Sequence, residues 1–271
     1  MRIRVADSLI EHSKGKLVLG VVKAKVKVEK KNEEIWGKLE AKFKEVEVQY
    51  KTAKVPEITP IKAVIDTYKS LGLKVSDYKG SNEALLKRAI GGKGIYQINN
   101  VVEANNLVSI VSLRSVGSYD LSKLSGDVEF RAGREDETYP STSKKALKLA
   151  KLPVLCDATG PFGSPTSDSE RALITETTTE LMTVIFSFDG EENLQAQMEQ
   201  MGELLRTYAA GQDISYHIVR DQPVELKKSD GELKSPGKHS LLAAPMNVSA
   251  SAAADETPEV KTVTEVGATL K

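Results

Sequence analysis

The stretch KLVLGVVKAKVKVEKKNEEIWGKLEAKFKEVEVQY, Lys16 to Tyr50, changes its apolar period once. In its first half Val22, Ala24, Val26 and Val28 alternate with lysines. That period of two, carried by β-branched residues, predicts a half-exposed strand. In its second half Ile35, Trp36, Leu39, Phe43, Val46 and Tyr50 recur at helical spacing, with Asn32 placed to cap the start. A strand handing over to an amphipathic helix opens a chain that mixes both.

The same change of period recurs downstream, but irregularly. Thr59-Pro60 predicts a helix start, with the stripe Ile61, Val64, Ile65, Tyr68 and Leu71 and a stop at Gly72. Ser81 is placed to cap a short helix closed by GGKG at 91–94, and Ile98, Val101, Val102, Asn105 and Val108 mark another. Asp120 predicts a capped turn before a strand at Val128–Ala132. KKALKLAK, Lys144–Lys151, reads as a short helix, and strands are expected at 153–156, Ala172–Thr175 and Leu181–Phe188. A helix over about 191–209 follows, with Asp189 and Glu192 as its capping box, and then the strand ISYHIV. Helices and strands without regular βαβ alternation argue an α+β fold. Residues 228–271 lack a sustained apolar period and read as a mobile tail.

Composition removes several function classes. The net charge is zero, so nothing pulls the whole molecule toward nucleic acid or membrane, which leaves RNA binding open because charge can be segregated on one face. No apolar run approaches the roughly 20 residues of a membrane helix, and no secretory leader opens the sequence, which leads to the expectation of a cytoplasmic protein. The single cysteine, Cys156, lies in an apolar run and reads as an inert core thiol. The three histidines, His12, His217 and His239, are far apart and without ligand spacing, so neither a metal, a cofactor nor a histidine-activated nucleophile is expected. GGKG lacks the residues of a phosphate-binding loop.

One loop is richer in polar groups than a hairpin requires. DATGPFGSPTSDSERALITETTTE, Asp157–Glu180, carries small hydroxyls, carboxylates and an arginine between apolar segments. Such a loop can line a pocket for a small polar ligand. Thr166, Ser167, Ser169 and the backbone near Gly163 can place a water or stabilise an oxyanion, Asp168 can hold an ammonium group, and Arg171 can bind phosphate or ribose. Each has a structural alternative: Asp168-Ser169 can cap a turn, Arg131 and Glu137 can form an ion pair, Asp120 can cap a helix, and Asn106 and Ser109 can be satisfied buried polar groups. Lysines from Lys14 to Lys44 form either a phosphate-tracking face or a solvated one balanced by glutamates.

Two segments carry a more specific signal when taken together, residues 95–139 and 152–188. Val102-Glu103 with Asn106 and Ser109, Tyr119-Asp120-Leu121 with Gly126, Arg131, Glu137 with Tyr139, and Asp157 with Asp168-Ser169, Arg171, Thr175 and Thr178 follow one another in order. This series resembles the tRNA-editing module of the phenylalanyl-tRNA synthetase beta subunit in its free-standing form, over about residues 60–210. The resemblance implies an α+β fold with a central mixed or antiparallel sheet and packed helices. It divides the chain into an N-terminal segment 1–58, an editing-like domain 59–220 and a tail 221–271. It implies hydrolysis in trans of the ester of a mischarged tRNA, with Asp168, Ser169 and Thr166 as catalytic candidates. Asn106, Ser109, Arg131, Glu137, Gly163, Ser167, Arg171 and Thr175 are then the substrate-binding candidates. The expected partner is tRNA, aminoacyl-tRNA or an amino-acid-like ligand. A non-catalytic binding module of the same fold and a small-molecule hydrolase remain alternatives.

Overall fold

The computed structural model describes residues 1–142 and 145–226. Its elements run β1 (Arg2–Val5), α1 (Asp7–His12), β2 (Val18–Lys25), α2 (Glu33–Gln49), α3 (Thr59–Ser70), α4 (Ser81–Ile90) and α5 (Asn100–Ser112). Then come β3 (Ser115–Asp120), β4 (Val128–Ala132), β5 (Thr138–Pro140), β6 (Ala146–Lys148), β7 (Pro153–Asp157) and β8 (Gly160–Gly163). The series closes with β9 (Glu180–Ser187), α6 (Leu194–Tyr208), β10 (Gln212–Val219) and β11 (Val224–Glu225). The fold is α+β.

Side-chain alternation along two strands builds three layers. An antiparallel sheet of order β10-β2-β9-β3 lies in the middle. Val18, Val22, Ala24, Leu181 and Ile185 belong to the core on the helical side, where α6 packs on β2, α5 on β3, and α2 on α5 and α4. Leu19, Val21, Met182, Val184 and Phe186 instead face a second sheet. That second sheet, β11-β1-β4-β7-β8, is mixed, since β1 runs parallel to β4. β2 is therefore buried on both faces over its first half, and lysines take the second face only from Lys23 onward. The first 58 residues supply inner strands to both sheets. Gly20 is a point of close approach, because a Cβ there would lie 2.8 Å from Leu194 Cδ1.

Helix caps follow the sequence in part. Asn32 accepts the amide of Ile35 at 3.3 Å, and Asp120 caps the turn Leu121–Lys123. Three expectations are corrected. Ala146–Lys148 is a strand paired with Thr138–Pro140 and not part of a helix over 144–151; Lys144 itself lies outside the described residues. Residues 172–175 form no strand; Glu170–Ala172 is a 3-10 turn. The last helix begins at Leu194 without a capping box, because Asp189 is bound instead by Arg114. The expected tail, apart from Asp221–Leu226, lies outside the described residues. Among the described residues no helix is long and apolar enough to cross a membrane.

Candidate functional site

The polar turn after β8 is held largely by its own hydrogen bonds. Ser164 Oγ donates to the Ser167 carbonyl at 2.8 Å and accepts the amides of Thr166 and Ser167. Ser169 caps the following 3-10 turn through the Arg171 amide, and Ser167 Oγ lies 3.2 Å from Thr142 Oγ1. Asp168 Oδ1 accepts the Tyr119 hydroxyl at 2.8 Å and the Ser164 amide at 3.1 Å. Burial pushes the Asp168 carboxyl up to about 6, against the lowering pull of those two donors. Gly163 packs on the Tyr119 ring, where a side chain would collide with the phenol.

Arg171 turns away from this cluster. Its guanidinium forms a two-pronged pair with Asp157, at 2.8 and 3.1 Å, and also donates to the carbonyls of Gly160 and Lys123. Burial opposes ionisation of Asp157, but Arg171 and the amides of Ser125 and Thr159 outweigh it and hold the carboxyl below its ordinary range. Arg131 and Glu137 make a second two-pronged pair, at 2.9 and 2.6 Å. That pair borders a hollow of about 730 Å³ on the outer face of the mixed sheet. There Arg2 pairs with Asp127 and Arg4 with Glu129, while Arg134, which also lines the hollow, forms no ion pair among the described residues. Burial pushes the Cys156 thiol beside it up to about 12, which leaves it a neutral thiol. Thr175 Oγ1 contacts Thr177 Oγ1 at 2.9 Å on the surface.

A different hollow, of about 500 Å³, opens between α4, α5, β3 and the turn at Thr166. It brings together Asn106, Ser109 and Thr166, and it leaves out Asp168, Ser169, Ser167, Arg171, Arg131, Glu137, Gly163 and Thr175. α5 places Asn106 and Ser109 one turn apart on the face toward α4, because residues three apart share a side of a helix. Ser109 Oγ is already used, donating to the Arg114 carbonyl at 2.7 Å. Thr166 Oγ1 meets the Tyr68 hydroxyl at 2.9 Å, and the Ser81 amide donates to the Pro165 carbonyl at 2.7 Å, which pins this wall to α3 and α4. The Asn106 side-chain amide makes no hydrogen bond among the described residues.

The rim is cationic. Lys87, Arg88 and Lys93 line it, and only Lys87 meets a carboxylate there, that of Glu83. These residues were missed by the sequence reading; Lys93 in GGKG was the available signal, since it stands in a glycine-rich stretch that matches no phosphate loop. The lysines of β2 and the segment after it are less free: Lys23 and Lys25 on the strand pair with Glu180 and Asp213, Lys27 just past it pairs with Glu29, and Lys42 on α2 pairs with Glu45. Among the described residues no cluster of three histidine, cysteine or acidic side chains could hold a metal ion.

No curated protein matches the chain by sequence. Among solved structures it is similar to an N-terminal fragment of the phenylalanyl-tRNA synthetase beta-subunit from Pyrococcus horikoshii, at 12% identity and a TM-score of 0.42. The match covers 83% of this chain and 54% of the fragment, so the chain spans about half of that fragment's length. The model of the B3/4 domain family matches residues 63–209, which include α4, α5, β3 and the turn at Thr166. The chain belongs to the B3/4 domain family, whose module is found in the phenylalanyl-tRNA synthetase beta subunit.

Proposed function

We propose that this chain hydrolyses the ester of mischarged tRNA in trans, with the aminoacyl group held in the hollow between α4, α5 and β3. One observation carries the reading: an uncommitted Asn106 amide faces a basic-rimmed hollow of about 500 Å³. That volume lies within the ~300–1,000 Å³ usual for small-ligand sites. The cationic rim matches a polyanion bearing the ester. An aminoacyl ester is already activated, so hydrolysis needs a positioned water and an oxyanion donor more than a nucleophilic side chain. Water attacks the carbonyl carbon, the bond to the ribose oxygen breaks, and the proton ends on that oxygen. Asn106 is the oxyanion donor, Thr166 orients the water, and Asp168 and Ser169 position the turn that carries Thr166.

The test is a panel of mischarged tRNAs incubated with the full chain. Hydrolysis of at least one is expected, falling about a hundredfold in Asn106→Ala with the melting temperature held, the usual effect of losing one oxyanion donor. Binding that weakens with salt but no turnover of any tRNA would sink the enzymatic reading. It would favour the non-catalytic module, a second reading supported by the hydroxyls of Ser164, Ser167 and Ser169 already being engaged within the turn.

A further inference from the structure

The loop between α4 and α5 presents an aromatic ring to solvent in a way no packing requirement explains. Tyr96 is 76% exposed, the most exposed aromatic ring among the described large hydrophobic residues. One face of the ring is covered by Arg88, whose Cζ lies 5.1 Å from the ring centroid. The same guanidinium donates through Nε to the Gly94 carbonyl and through Nη2 to the Lys93 carbonyl at 3.3 Å. Arg88 therefore braces the loop and backs the ring at once. Gly92 and Gly94 take φ of +61° and +51°, the left-handed turns that let so short a loop fold back onto the helix. Arg88 and Lys93 also line the hollow, and neither forms an ion pair with a carboxylate among the described residues.

We infer that Tyr96, backed by Arg88 and flanked by Lys93, is a stacking platform for an unpaired nucleobase of a single-stranded RNA end whose backbone phosphates meet Arg88 and Lys93. A ring with one face backed by a guanidinium and the other open offers a base a flat partner, and the shared arginine adds a cation beside it. Positive charge without a matching carboxylate favours the polyanion over an apolar protein surface. Arg88, which takes part in both the ring stack and the hollow's wall, links the base site to the proposed ester site. This deepens the deacylase reading and, in that respect, rests on it.

The test uses the full chain, a fluorescent single-stranded RNA ending in CCA, and a small aminoacyl ester that carries no base. Tyr96→Ala is expected to weaken RNA binding by about five- to a hundredfold, the range for one lost base–aromatic stack, while Tyr96→Trp retains it. Lys93→Ala should lower the slope of log affinity against log salt by about one. Hydrolysis of the base-free ester should be unchanged in Tyr96→Ala, whose exposed ring contributes little to folding. Wild-type affinity in Tyr96→Ala, or no RNA binding by the wild type, would overturn the platform whatever the ester assay shows. Tyr96-dependent RNA binding with no hydrolysis of any ester would leave the platform standing and remove the deacylase.

Discussion

Glu103 shows how one residue can set the pH response of the fold. It lies on α5 with no exposed surface, on the helical side of the middle sheet. Burial pushes its carboxyl from 4.5 up to about 7, and the nearby Glu33 charge adds to the rise. The folded state thus binds the proton more tightly than the unfolded chain. Its stabilising contribution is full below about pH 4.5 and is lost as pH rises through 7. Glu103→Gln should flatten that dependence and gain about 1–3 kcal/mol at pH 8, with little change at pH 4, as read from denaturant melts at the two pH values. An unchanged pH profile would show that Glu103 ionises normally. The resemblance picked out this position from the sequence, but not its burial, which depends on α2 lying across α5.

At the scale of elements, the junction of β9 and α6 depends on a residue far away in sequence. Arg114, just after α5, is almost fully buried and donates to Asp189 Oδ1 at 3.0 Å, Gln197 Oε1 at 2.8 Å and the Glu192 carbonyl at 3.0 Å. Its planar fork reaches three directions that an ammonium group cannot match. Arg114→Lys is expected to lose about 2–4 kcal/mol, because it strands Asp189 and the α6 entry without their donors; urea unfolding measures it. The capping box read from Asp189 and Glu192 was a sound local pattern, overruled by this distant cation. The hairpin β5–β6 makes the same point. Ala146, Leu147 and Lys148 favour a helix by propensity, yet Leu147 pairs with Tyr139 and Leu149 is fully buried beside them. By contrast β2, α2, β4, β7 and β9 were legible, since each carries an apolar period long enough to declare itself.

For the whole molecule, the middle sheet is shared by two hydrophobic cores. Phe186 is buried at its second face and packs on Phe130 at a centroid distance of 5.2 Å, while its neighbour Ile185 serves the helical core. Losing either core exposes a face of the same strands, so the layers should unfold together. Phe186→Ala is expected to lower stability by about 3–5 kcal/mol and to shift a single thermal transition without splitting it. Two separated transitions in calorimetry would refute the coupling of the layers. The hollow near Asn106 belongs to this scale too, because α4, α5, β3 and the turn at Thr166 each supply one wall.

The amino-acid sequence by itself determined the α+β class and its longer elements, such as β2, α2 and β9, because apolar periods of two and of 3.6 are local properties of the chain. It also marked Asn106, Ser109 and Thr166, which lie up to 60 residues apart and meet in one hollow. Only the tertiary structure decided what each polar group in the candidate set binds. Arg171 is taken by Asp157, Asp168 by Tyr119 and Arg131 by Glu137, while Asn106 keeps its amide open to the hollow. The physical reason is that a hydrogen bond depends on distance and angle between groups brought together by packing, and no local pattern carries that geometry.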